Sequence, residues 1–129
     1  MTVKALVGYD LMPGITPEEY DRWLWEVHVP DLLANPYIEK IVFNTVIEAV
    51  PTTSGGAASV TQAVRLYRIA EMHYRDLEHY RQYREWFEQH PIPEERGPKG
   101  RSDFKFYLLC TVQEATRATP HPASDSAPA

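Results

Sequence analysis

Of the five histidines, His28 is the one whose neighbours place it for proton transfer. Tyr20, Trp23, Leu24 and Val27 fall at i, i+3, i+4 and i+7, the spacing of one helical face, and His28 at i+8 lies on the edge of that stripe. An imidazole there titrates near neutrality and can move a proton in either direction. Its place near a helix C-terminus favours the protonated form. The other reading of the same residue is a hydrogen bond to the carbonyls freed ahead of Pro30. Tyr9 and Tyr83 either donate to a substrate oxygen or are core residues with the hydroxyl at the rim. Arg68 shares a strand face with Val64, Leu66, Ala70 and Met72, where an unpaired charge is costly. It binds a carboxylate or enolate, or it forms an ion pair with Glu48 or Glu71. His90, where a second helix should end, either closes a pocket or caps that helix. His73 and His79 are expected to face solvent, and His121 lies in the C-terminal tail.

Other chemistries find no pattern to carry them. There is no H-x-H or H-E-x-x-H spacing for a metal, no G-x-G-x-x-G or P-loop for a nucleotide, and no Ser-His-acid arrangement. No metal and no cofactor is expected. Cys110 is the single cysteine, so no internal disulfide can form, and a free thiol buried in an apolar run fits a reducing compartment. The net charge of −5 leaves no basic footprint for nucleic acid or for an anionic membrane surface. No segment reaches the roughly 20 apolar residues of a membrane span, and no signal-peptide pattern opens the chain. The expected compartment is the cytoplasm.

The elements that must position these side chains follow from local chemistry. Residues 3–12, apolar and closed by Pro13-Gly14, read as a strand buried on both faces. Thr16-Pro17-Glu18-Glu19 announces a helix, with Thr16 as cap, Pro17 at the first position and Glu19 closing a capping box. Pro30 should end or kink that helix at Val29, with Leu32 and Leu33 in one further turn. Residues 37–50 alternate and are β-branched, residues 52–59 form a loop, and residues 60–74 make a third strand. A helix over 76–89 buries the aromatic face of Tyr80, Tyr83 and Phe87. Pro91-Ile92-Pro93 stops it, and the charged segment 94–103 is a connector or a lid. The last strand spans 104–114, with Phe104, Phe106 and Leu108 on one face and Tyr107 and Leu109 on the other. Residues 1–115 form one domain, and the Pro/Ala/Ser-rich stretch 116–129 is expected to be disordered.

The order β-α-β-β-α-β is the ferredoxin-like α+β arrangement. Two helices cover one face of a four-stranded sheet. The other face carries Leu6 and Met12 on the first strand and large apolar groups on the last. An apolar face of that size exceeds what a soluble monomer tolerates, so a homodimer closed through the sheets is expected.

The segment Thr16-Pro17-Glu18-Glu19-Tyr20, followed by Trp23 and His28-Val29-Pro30, resembles the "PEEF…YW…H-x-P" pattern of EthD-like proteins in the dimeric α+β barrel superfamily. Glu71-Met72-His73-Tyr74-Arg75-Asp76-Leu77 is similar to the strand-to-helix passage there. The resemblance implies a small enzyme without bound cofactor, such as a cyclase, dehydratase/lyase or isomerase, acting on an aromatic or polyketide-like small molecule. It implies a pocket between sheet and helices lined by Val7, Tyr9, Trp23, Leu24, Val27 and His28, with Arg68, Tyr83 and His90. His28 would be the acid/base, and Tyr9, Arg68 and Tyr83 would bind the developing oxyanion. The chain departs from the polyketide cyclases where some use a first-strand and a third-strand histidine: those positions are Ala5 and Arg68. A cofactor-free monooxygenase on the same substrate class and a non-catalytic ligand-binding dimer are the alternatives.

Overall fold

A computed structural model describes residues 2–48 and 65–119. Along the chain run β1 (Val3–Leu11), α1 (Pro17–Trp23), a π-helical turn (Leu24–His28), α2 (Val29–Leu33) and β2 (Lys40–Thr45). After the undescribed segment come β3 (Arg68–Tyr74), α3 (Leu77–Gln89), a 3-10 turn (Glu94–Arg96) and β4 (Ser102–Thr111). The result is a mixed α+β fold with one antiparallel sheet in the order β2-β3-β1-β4. No helix among the described residues is long and apolar enough to cross a membrane.

The helices gather on one sheet face. Val3, Ala5, Val7 and Tyr9 of β1 and Ala70, Met72 and Tyr74 of β3 are buried against Tyr20, Trp23, Leu24 and Tyr83. Burial of β1 on both faces does not hold in this chain: Lys4 and Leu6, on the outer face, are only half-buried. Asn35, 1% exposed, ties the two helical segments together. Its amide donates to the Tyr83 carbonyl at 2.9 Å, and its carbonyl accepts from the Tyr37 N–H at 3.0 Å.

Thr16 Oγ1 accepts from the Glu19 N–H at 3.2 Å, with Pro17 opening α1. The helix does not stop at Val29. The Val29 N–H bonds five residues back to the Leu24 carbonyl, and the chain re-enters α geometry with Pro30 in the first turn of α2. Proline lacks the N–H and its ring presses on the carbonyl four residues earlier; widening the preceding turn relieves that clash without breaking the helix. At α3, Asp76 serves as cap, its carboxylate accepting from the His79 N–H at 2.8 Å.

Strand limits are tighter than the β-branched runs suggest. Residues 37–39 belong to the turn that Asn35 holds, and 46–48 leave the ladder after one bond from Val46 N–H to the Tyr67 carbonyl at 3.0 Å. The expected loop 52–59 and the start of the third strand, 60–64, lie outside the described residues. So does residue 120 onward of the expected tail, whereas Thr116 and Thr119 exchange two backbone hydrogen bonds, 2.9 and 3.1 Å, across a turn.

The last strand departs from simple alternation. Val7 pairs with Tyr107 and Gly8 with Phe106, but Tyr9 pairs with Phe104, leaving Lys105 as an extra residue on β4. This bulge reverses parity, as one inserted residue must. Phe104 therefore shares the helix-covered face with Tyr107 and Leu109, while Phe106 and Leu108 turn outward; the expected grouping of Phe104 with Phe106 and Leu108 is corrected. Gly8 makes room for this, since a methyl group there would collide with the Phe106 ring. Cys110 on the outer face is half-buried, not enclosed.

Candidate functional site

Between the sheet and the helices lies a cavity of about 210 Å³ with mostly apolar walls. Its floor is Val7 and Tyr9 of β1 with Ala70 and Met72 of β3, flanked by Ile41 and Phe43 of β2. Tyr20, Leu24, His28 and Leu32 descend from the first helical segment, and Tyr83 from α3. Pro98, Ser102, Phe104 and Tyr107 complete the wall. Phe104 and Tyr107 are about half exposed, so the cavity opens on the β4 side.

The π turn explains why His28 faces the cavity. One residue added to the turn carries everything after it backwards by about one position in angle, roughly 100°. His28 thus occupies the angular place that an unbroken helix gives to residue 27, and Leu32 that of residue 31. Val27, expected in the wall, packs on the core outside it.

The His28 ring stacks on Trp23, centroids 4.6 Å apart and planes 17° from parallel. Trp23 stands behind the imidazole instead of lining the cavity. Its indole N–H donates to the Arg96 carbonyl at 3.0 Å, and the Arg101 guanidinium lies 5.0 Å from its ring. Arg96 in turn clasps Asp31 of α2 through two bonds of 2.9 and 3.0 Å. The segment before β4 is therefore a strap fastened over the histidine. His28 Nδ1 is buried without a hydrogen-bond partner among the described residues. Burial lowers the His28 pKa to about 4, with Asp31 opposing the shift and Arg101 adding to it. The expectation of a protonated imidazole is corrected: the helix continues to Leu33, so His28 has no C-terminal carbonyls beside it, and desolvation disfavours the charge.

Tyr9 Oη is likewise buried without a partner among the described residues. Burial raises its pKa, partly offset by Tyr20 and Arg68 nearby, so the phenol stays protonated. Tyr20 Oη and Ser102 Oγ are bonded at 2.6 Å across the wall. The Tyr107 hydroxyl contacts the Met72 sulfur at 3.4 Å, a weak acceptor.

Besides Trp23 and Val27, two further expected site residues stand elsewhere. Arg68 faces the helices, as its parity implies, but its guanidinium forks onto Asp21 of α1 at 2.8 and 3.4 Å and donates to Thr45 Oγ1 at 3.0 Å. Its partner is Asp21, not Glu48 or Glu71, and it does not line the cavity. His90 caps α3: its ring bonds to the Trp86 carbonyl at 2.9 Å, exposed and away from the cavity. His73 is half-buried beside Glu71 at 3.1 Å, and His79 contacts Asp76 at 2.7 Å. Val7, Tyr9, Leu24, His28 and Tyr83 are brought together as expected. Ile41, Phe43, Ala70 and Met72 were findable from strand parity; Leu32, Phe104 and Tyr107 were hidden by the π turn and the bulge. Among the described residues no three His, Cys, Asp or Glu side chains gather as a metal site would require. Compared with protein-family models and with curated proteins, the sequence matches none.

Proposed function

We propose that this chain is a cofactor-independent enzyme of the dimeric α+β barrel type, acting by proton transfer on an aromatic or polyketide-like small molecule. The observation that carries the reading is a pair of buried polar atoms on the wall of one apolar cavity, Tyr9 Oη and His28 Nδ1, both lacking partners among the described residues. Leaving such groups unsatisfied costs about 1–3 kcal/mol each, a cost that a ligand supplying the missing bonds removes. The neutral imidazole takes a proton from an acidic C–H and, once protonated, returns it to carbon or to a leaving hydroxyl, and the Tyr9 phenol donates to the developing oxyanion, with Tyr83 elsewhere on the same cavity wall. Arg68 takes no part, being engaged by Asp21.

The succession β-α-β-β-α-β and the sheet order β2-β3-β1-β4 support a ferredoxin-like topology. Outward-facing Leu108 is 54% exposed, beside half-buried Leu6 and Phe106, which supports a homodimer through this face. The single free thiol suits a reducing compartment such as the cytoplasm.

The test is proton–deuterium exchange into a panel of aryl ketones and 1,3-dicarbonyl aromatics in D2O. The wild-type chain should catalyse exchange, and His28→Ala should lose it by at least a hundredfold. Undiminished exchange by that variant removes the mechanism. Oxygen consumption during turnover would identify the monooxygenase alternative, and binding without exchange or product the non-catalytic one.

A further inference from the structure

Granted that the cavity is a substrate site, its walls specify the kind of molecule it takes. Among the described residues that line it, none carries a charge at neutral pH. Arg68, on the same sheet face, is turned aside onto Asp21. Arg101 lies behind Trp23 and donates to the Gly97 carbonyl at 2.8 Å. An anion entering here would shed its water and meet no unbalanced counter-charge, because Arg68 near Tyr9 is offset by Asp21 and Arg101 near His28 by Asp31, and such a burial is expensive. Protonating His28 to provide one works against the burial that holds it neutral.

The polar groups left for a ligand are few. Tyr20 and Ser102 satisfy each other and the Tyr107 hydroxyl rests on the Met72 sulfur, so among the described residues the buried lining atoms without a partner are Tyr9 Oη and His28 Nδ1, one phenol and one imidazole nitrogen. Size narrows the choice further. A dry cavity of about 150 Å³ takes up benzene, so the enclosed space of about 210 Å³ seats one ring with small substituents, anything larger projecting through the open β4 side. We infer that the site selects an uncharged, single-ring aromatic with two oxygen functions, one for Tyr9 and one for His28, over its carboxylated counterpart.

Two near-isosteric probes, 3-hydroxyacetophenone and 3-hydroxybenzoate, differ chiefly in charge at pH 7.5. Titration calorimetry on the full chain should show the ketone binding at least tenfold more tightly, with Tyr9→Phe and His28→Gln each weakening it severalfold. In the unsubstituted chain, the ketone should also shift the His28 ring resonances, a readout independent of how the variants fold. Benzoate binding as tightly as the ketone overturns the inference and leaves the site itself standing. A ketone that binds without moving the His28 resonances overturns the placement. Binding of neither probe overturns both this inference and the substrate-site reading.

Discussion

A neutral, half-buried imidazole with its Nδ1 enclosed by an apolar wall makes the folded state sensitive to acid. The His28 pKa is about 4 in the fold against 6.5 for the free side chain. Above pH 6.5 both states are neutral and the stability from this group is complete. Between 6.5 and 4 the unfolded chain takes up the proton first, so stability falls as pH drops, by up to about 3 kcal/mol. Replacing His28 with Gln should flatten that part of the curve, measured as the urea midpoint at pH 7 and pH 4.5. The same ionisation governs the proposed reaction: kcat/KM for exchange should hold level above pH 5 and fall only as His28 is protonated near 4. Glu71 acts in a separate, lower window. Asn44 and Lys4 hold its carboxylate down to about 2, so its contribution is present above pH 4.5 and lost as pH falls towards 2.

At the level of elements, Pro30 sets the direction of His28 through the turn before it. Pro30→Ala restores an N–H that can bond in α register to Glu26, and the added residue in the turn is no longer required. The variant should keep its helix content, while the His28 pKa read by NMR rises from about 4 towards 6.5 as the ring rotates out of the cavity. A pKa that stays near 4 would show that the π turn does not depend on the proline. What could be read from the sequence divides along the same line. The cap at Thr16, the aromatic face of α3 and the alternation of Arg68, Ala70 and Met72 are local patterns of period 3.6 or 2, and they place His28, Tyr9 and Tyr83 near one another. The π turn and the Lys105 bulge each add one residue to a period. Such an insertion leaves no compositional mark, yet it exchanged Val27 for Leu32 and brought Phe104 and Tyr107 into the wall. The pairing of Arg68 with Asp21 was illegible for another reason: the two residues are 47 positions apart in sequence, and only the docking of α1 on the sheet joins them.

For the whole molecule, the outer sheet face decides the assembly. Its centre is polar, with Lys4 and Asn44 holding Glu71 at 3.0 and 2.8 Å, and Leu6, Phe106 and Leu108 lie along the β1–β4 side. Leu108→Glu places a charge on the most exposed of these. Sedimentation should show the parent chain as a dimer and the variant as a folded monomer; a parent chain that sediments as a monomer at micromolar concentration ends the proposed assembly. The extra residue Lys105 has a further consequence, because β4 is an outermost strand ten residues long with few neighbours over its apolar groups. A regular strand in that position offers evenly spaced donors and acceptors to any extended peptide. Here the spacing is interrupted and the Lys105–Asp103 ion pair stands at the interruption, so an incoming chain cannot zip along the margin in one register. The irregularity that shapes the interior thereby also guards the molecule against fibrous self-association.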